Sequence, residues 1–510
     1  MTAIVSTAAA EYKLGRKQAS VAWIAAARIV SLTILLVASA VYEAVHTRAL
    51  VDANVWLHLR TGLWMLQSHS VPHSSLFSQY SSLPWTDSSW GFDVLLAGAY
   101  QVFGLRAIPL MAMLLKLAIA IVTFLIASAG KANFWTAVAL SAVAQYVIPM
   151  SQSLPYGVSI VFFGVELLLL ERSRQSGRAR ILYWLPALFV VWANLHVLVV
   201  SGLMLLGLFL GSNWLQSVLR SSAATWLERD TRPLPWRQAA GVFACSVFAT
   251  LVNRYTIQLF PTAYQVLYSD VGFQHFAEMH AMSFRRPQEY ALMLLVMAAF
   301  VALGRRRSLK IFELLALLVG TLVAFRIQRE GWMAALPAVA VLSGGLGFCE
   351  RRWKPSEVRT AAWERPLVTA LLAMMLVTAA FRLPHQEALL LRVGETFPVK
   401  ACDFVRERHL PLPMFHEYSW GSFLTWYLPE YPVAIDSRTE LYGDEITEGY
   451  FKVIGGGERL ETYPALAAAQ TLLLQKQSGM VKALSTLPAL SSRYKLVYSD
   501  DIAAIFVREP

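Results

Sequence analysis

Apolar residues along this chain fall into long runs separated by short polar segments, and the pattern changes character only near its end. A helix rises 1.5 Å per residue, so about 20 residues are needed to cross a hydrocarbon core ~30 Å thick. Candidate spans lie near 21–45, 90–105, 108–130, 133–149, 155–171, 181–211, 238–253, 288–304, 310–326, 332–349 and 364–382. The run 181–211 is long enough for two short spans broken at Trp192-Ala193-Asn194-Leu195-His196, so the pattern predicts eleven or twelve membrane helices. Polar residues at that depth need partners, which a turn facing a cavity or a helix-packing pair of Asn194 and His196 would supply.

From residue 383 onward short apolar runs alternate with helical periodicity. Strands are expected at 412–415, 432–435, 471–474, 494–498 and 502–507, with helices at 420–428, 444–454 and 479–487. Such alternation predicts a C-terminal soluble α/β domain over 383–510 with a mostly parallel sheet and a terminal hairpin. Ligands of such sheets sit beyond the carboxyl ends of the strands, a place occupied here by Asp436 and Arg438, with Glu417 after the preceding strand. The alternative is an Asp-Arg pair that holds a loop. Gly455-Gly456-Gly457 follows a helix and reads as a helix stop, not as a phosphate loop.

Composition narrows the class. With 56% hydrophobic and 15% charged residues and a mean hydropathy of +0.48, the chain is neither a cytosolic enzyme nor a disordered scaffold. The net charge of +11 is unevenly placed: residues 383–510 hold 16 acidic against 12 basic side chains, so the excess belongs to the rest. It sits in short loops, at Lys13, Arg16 and Lys17; at Arg172, Arg174, Arg178 and Arg180; at Arg220, Arg229, Arg232 and Arg237; at Arg305, Arg306, Arg307 and Lys310; and at Arg351, Arg352, Lys354 and Arg359. That is the distribution of cytoplasmic loops, and it removes the case for nucleic acid as a partner. Residues 1–20 then form a cytoplasmic segment, 21–382 a polytopic membrane domain, and the loop 46–89 and the tail face the periplasm or cell exterior of a bacterial inner or plasma membrane. Counting every run between 90 and 171 as a crossing breaks this assignment, so one of them does not cross simply. The first run, ending at Ala38-Ser39-Ala40, has signal-peptide features but reads as a retained helix. Cys245, Cys349 and Cys402 offer no disulfide framework.

The outer loop 46–89 is the most unusual stretch. Trp56, Leu59, Leu63 and Leu66 recur at helical spacing, as in an amphipathic helix lying along the membrane interface. Four of the ten histidines, His46, His58, His69 and His73, also fall here, just after Asp52.

Asp52-Ala53-Asn54-Val55-Trp56-Leu57-His58-Leu59, Thr61-Gly62-Leu63-Trp64, Leu76-Phe77-Ser78, Pro84-Trp85 and Trp90 resemble the outer-loop motif of an uncharacterised family of multi-pass bacterial membrane proteins. Trp192-Ala193-Asn194-Leu195-His196, Trp420-Gly421-Ser422-Phe423-Leu424 and Ile435-Asp436-Ser437-Arg438 resemble further motifs of the same family, so the matches reach across nearly the whole chain. The family's layout is similar to that of GT-C glycosyltransferases, in which an acid of the first outer loop serves a reaction on a polyprenyl-phosphate-linked sugar. The resemblance implies an α-helical polytopic GT-C-like membrane protein in which Asp52 is the catalytic acid. Three acidic motif positions are lost: Asn54 stands at the second acid, Ser75 before Phe-Ser, and Ser89 in place of Glu before Trp90. Asp87 and Asp93 remain nearby, and the losses weaken the case for a divalent metal cofactor held by carboxylates.

Sugar transfer needs a base for an acceptor hydroxyl, which Asp52 or a neighbouring histidine would provide. It also needs cations for the donor phosphate, for which Arg254, Arg285, Arg286, Arg326 and Arg329 are available on the outer side. His58, His73, Asp87, His196, Asp436 and Arg438 complete the set of substrate-binding candidates. Each has a plainer reading, since arginines at span ends reach to headgroups and interfacial His and Asp are commonly solvated. The partners implied are membrane lipids, a lipid-linked sugar donor and a glycan, lipid or protein acceptor. Two other functions fit the composition: a catalytically inert assembly or polysaccharide-export partner, favoured by the lost acids, and a transporter or flippase, which internal repeats would mark and none does.

Overall fold

A computed structural model of the protein describes residues 2–130, 132–148, 154–219, 236–306, 308, 310–346, 364–455, 463–486 and 492–509. The clusters at 220–232 and 351–359 lie outside the described residues. Every apolar run found in the sequence forms a helix: α1 (Thr2–His46), then the loop helix α2 (Ala53–Ser68), α3 (Trp90–Phe103), α4 (Ala107–Ala129), α5 (Phe134–Val147), α6 (Leu154–Ser176), α7 (Leu185–Leu195), α8 (Val199–Leu219) and α9 (Trp236–Thr250). After the loop helices α10 (Leu259–Leu267) and α11 (Asp270–His275) come α12 (Pro287–Gly304), α13 (Ile311–Arg326), α14 (Trp332–Leu346) and α15 (Glu364–Phe381). The run 181–211 does break in two, between Leu195 and Val199. Five stretches are long and apolar enough to cross a membrane, and α15 with the short helix after it makes a sixth, bent by 76°. The protein is thus an integral membrane protein of many helices.

The two expected spans 90–105 and 108–130 form one apolar stretch, Trp90–Ala129, interrupted by a 3₁₀ turn. The basic clusters also meet. Glu313 is bonded by Arg174 of α6 and by Arg306, with Lys310 at 3.3 Å, so the loops after α6 and α12 share one end of the bundle. Tyr156 lies 18 residues before Arg174 on α6, or ~27 Å along the axis, at the opposite end.

That opposite end carries α2 and the tail. The tail begins with α16 (Gln386–Val393) and α17 (Val399–Arg408), which the sequence pattern did not signal, and continues through β1 (Met414–His416), α18 (Tyr418–Tyr427), α19 (Thr439–Ile454), α20 (Pro464–Ala467), β2 (Thr471–Gln475), α21 (Gly479–Thr486), β3 (Tyr494–Ser499) and β4 (Ala503–Arg508). The sheet order is β1-β2-β4-β3, and only β1 and β2 run parallel. The expected mostly parallel sheet is therefore corrected to a mainly antiparallel one. The segment 432–435 is not one of its strands. Pro432 has no N–H to give a ladder, and Val433 pairs with the outer loop instead, donating to Phe77 O and accepting from Gln79 N, both at 2.9 Å.

The packing runs without a break across residue 383. Trp56, Leu59, Phe92 and Ile108 share one core with Leu389, Phe397, Phe423, Leu473 and Ile505. Trp56 stacks on Trp426 with ring centroids 4.5 Å apart and meets Phe423 edge-on. Two motif glycines allow close approach within each part, of α2 to α3 and of α18 to the segment 432–435. A Cβ on Gly62 would stand 2.0 Å from the carbonyl oxygen of Asp93, and one on Gly421 would stand 2.0 Å from that of Ile435. The expectation that outer loop and tail lie on the same side of the bundle agrees with this packing.

Candidate active site

Asp52 ends the short 3₁₀ turn Arg48–Val51 and caps α2. Its Oδ1 accepts from the backbone N–H of Asn54 at 3.0 Å, as a helix N-cap should. Its Oδ2 is buried and has no hydrogen-bond partner among the described residues. Burial pushes the carboxyl up to about 6, against the opposing effects of the Asn54 N–H and of His58. It faces a cavity of about 530 Å³ formed where the ends of α1, α5, α6 and α12 meet the loops at 277–286 and 328–331.

The cavity carries both signs of charge. Arg48, Arg286 and Arg329 line it together with Asp52, Glu278 and Glu289, and Tyr42, Asn54, Gln145, Tyr156 and Gln328 supply neutral polar groups. Three of the charges are already engaged: Arg329 pairs with Glu330 at 3.3 Å and with the lining Glu278 at 3.5 Å, and Glu289 accepts from Ser283 Oγ and the backbone N–H of Arg285. Arg48 lies over the Tyr42 ring, 5.3 Å from its centroid. The arrangement can hold an anion beside a carboxylate that has a free oxygen.

A second cluster lies behind Asp52. His58 Nδ1 is 2.8 Å from Asp93 Oδ1, and Phe92 meets the imidazole edge-on. Asp87 accepts from the Ser89 N–H at 3.0 Å, and its carboxyl lies against that of Asp93. Burial drives Asp87 well above the usual carboxylate range, with Asp93 adding to the rise, and drives His58 down, against the pull of Asp87 and Asp52. Asn54 lines the cavity, Ser75 is buried in the outer loop with its N–H on Leu83 O, and Ser89 caps α3.

The other sequence candidates are not gathered here. His73 is exposed, edge-on to Tyr255, and its carbonyl accepts from Trp85 N. His196 is bonded to Ser159 Oγ at 2.7 Å and Asn194 donates to Val190 and Val252 carbonyls, both of which are packing roles. Arg254 and Arg285 are exposed away from the cavity lining, and Arg326 lies on the Phe273 ring. Asp436 and Arg438 are fully buried and bidentate, Nε to Oδ1 at 2.9 Å and Nη2 to Oδ2 at 2.5 Å, with Tyr442 OH donating to the same Oδ2. Arg438 is stacked over Trp85 of the outer loop, 4.5 Å from its centroid. The pair joins tail to loop, and Arg438 Nη1 is buried with no hydrogen-bond partner among the described residues. Glu417, bonded by the Gln475 N–H, is likewise structural. Arg48 and Tyr156, Glu278 and Gln328 were missed as site residues. Arg48 alone carried a signal, as a cation four residues before Asp52.

Comparison with solved structures finds the same architecture in the oligosaccharyltransferase of Archaeoglobus fulgidus. Its apo form matches with a TM-score of 0.51 at 10% identity, over 95% of this chain and 74% of that one. The complex with an inhibitory peptide and a dolichol-phosphate matches with 0.51 at 11%, over 90% and 70%. The form tethered to an acceptor peptide matches with 0.50 at 11%, over 89% and 70%. The fold is that of the archaeal oligosaccharyltransferase. At such identity the likeness is one of fold alone. No protein-family model and no curated protein sequence matches the chain.

Proposed function

We propose that this GT-C chain transfers a sugar from a polyprenyl-phosphate-linked donor to an acceptor on the non-cytoplasmic face of the membrane. The observation that carries the reading is the buried, unpartnered Oδ2 of Asp52 at the wall of a charged cavity. Buried polar atoms are almost always paired, so an orphaned one in a cavity is a site held open for a ligand. The dolichol-phosphate and inhibitory peptide bound by the archaeal neighbour support a lipid-phosphate donor and a separate acceptor here. The gathering of Arg174, Arg306 and Lys310 at the far end supports a cytoplasmic assignment for that end, which leaves Asp52 and the tail outside.

In the proposed reaction Asp52 takes the proton of an acceptor hydroxyl as its oxygen attacks the anomeric carbon. The bond from that carbon to the phosphate oxygen breaks, and its electron pair leaves with the lipid phosphate. Arg48 and Arg286, with Arg329 held by its acids, stabilise that leaving charge. A resident divalent metal, common for such chemistry, does not fit the donor set. Asp52 has one free oxygen, Asn54 stands at the second motif position, and no three His, Cys, Asp or Glu side chains among the described residues are placed to hold an ion. Charge compensation therefore falls to arginine. The same lack of donors favours the inert-partner reading, and one variant separates the two. Asp52→Asn removes the base and should lower glycan transfer in cells by ~10² to 10⁴-fold with unchanged protein abundance. Transfer at the wild-type rate would put the inert partner ahead.

A further inference from the structure

The outer loop between α9 and α12 has four differently occupied faces. Leu259 and Ala263 of α10 are buried in the core of the bundle. Glu278, Met282 and Arg286 form one wall of the cavity. Ser269 Oγ donates to Asp444 of the tail at 3.0 Å, and His275 and Phe276 stack on Phe451 and Tyr418. The fourth face is covered by nothing among the described residues. Ile257, Tyr264 and Tyr268 are 69%, 65% and 62% exposed, at helical spacing along the outside of α10, and the two tyrosine rings stack with centroids 5.0 Å apart.

This face has two further properties. The fifteen residues from Tyr255 to Ser269 contain no charged side chain and no histidine, which is unusual for an extramembrane loop. The apolar surface also continues directly from Phe248 and Val252, exposed at the end of α9. Tyrosines are favoured where one end of the ring is apolar and the other wet, the depth of lipid headgroups, and the exposed Arg254 immediately before the stretch is placed to meet a headgroup phosphate.

We propose that α10 is an interfacial anchor whose Ile257, Tyr264 and Tyr268 face lies in the outer headgroup layer of the bilayer and holds the cavity wall from Glu278 to Arg286 at that depth. The occupant is the lipid surface, not a protein partner, because the stretch carries no charged side chain, its tyrosines suit headgroup depth, and it follows in the chain directly on the exposed Phe248 and Val252 at the end of α9. It stands whether or not the chain is a transferase.

Site-directed spin labelling of the full chain in phosphatidylethanolamine and phosphatidylglycerol vesicles tests it. Tyr264→Cys and Tyr268→Cys are made in a background with Cys245→Ala and Cys349→Ala. Phe248→Cys serves as the bilayer control, and Leu496→Cys, exposed on β3, as the aqueous one. The expected result is a ratio of oxygen to Ni-EDDA collisions between those of the two controls at both tyrosine positions, with Ni-EDDA collisions several-fold below the Leu496 value. A ratio equal to that of Phe248 also supports a lipid-facing stripe. Ratios matching Leu496 would mean that the face is in water, and low collision rates with both reagents would mean that a second copy or another protein covers it; either result overturns the proposal.

Discussion

Asp52 and Asp436 each belong to a sequence motif at the same end of the bundle, and both accept a bond from the backbone N–H two residues ahead at 3.0 Å. Beyond that they differ. Asp436 has both oxygens engaged, by Arg438 and Tyr442, deep between tail and loop. Asp52 keeps one oxygen buried and free against a cavity. A satisfied buried carboxylate stabilises the native packing, whereas an unsatisfied one costs stability and persists where a ligand will meet it.

Removing one partner of a buried ion pair leaves an uncompensated charge or hydrogen-bond group and typically costs ~3 to 5 kcal/mol. Asp436→Asn and Arg438→Leu should each cost that much in thermal unfolding of the detergent-purified protein, and the double change Asp436→Leu with Arg438→Met should recover most of it. Asp52→Asn should leave stability unchanged or raised while transfer is lost. Equal destabilisation at both aspartates would erase the distinction.

A smaller effect is expected at the cations. Bonds to charged groups contribute ~1.5 to 3 kcal/mol, so Arg286→Ala should raise the KM for a lipid-linked donor by about 10- to 100-fold. Arg254→Ala, outside the cavity, should leave it unchanged; a reversal of the two would move the phosphate site elsewhere.

The smallest expected effect comes from pH. Asp52 acts as a base only when ionised, and burial holds its carboxyl at about 6. Transfer should therefore be near its plateau at pH 7 and fall about tenfold per unit well below pH 6. The same direction of shift means that the native state disfavours the carboxylate, so Asp52 lowers stability as pH rises through 4 to 6. A rate independent of pH between 5 and 7 would show that Asp52 is not the group that titrates.

Much of the architecture was legible because a bilayer imposes one rule on every span: twenty or so apolar residues and an internally bonded backbone. The positions of α1 to α9 and α12 to α15, the break after Trp192-Ala193-Asn194, and α18, α21, β2 and the β3–β4 hairpin follow from local periodicity alone. The segment 432–435 shows where this fails. Its apolar pattern is that of a strand, yet its partner is Phe77 to Gln79, more than 350 residues away, and no local pattern encodes a partner.

The sequence by itself determined that this chain lies in a membrane, where its helices fall, which end carries the basic loops, and that Asp52 sits where the first span meets water. Only the tertiary structure decided which charges share a site. Arg48, Tyr156, Glu278, Arg286 and Gln328 come from separate turns and helix ends that converge on one cavity, while Asp436 and Arg438, equally prominent in sequence, pair with each other away from its lining. The physical reason is that hydropathy is a property of each residue and its near neighbours, whereas the satisfaction of a buried polar atom depends on what the folded chain brings within about 3 Å of it.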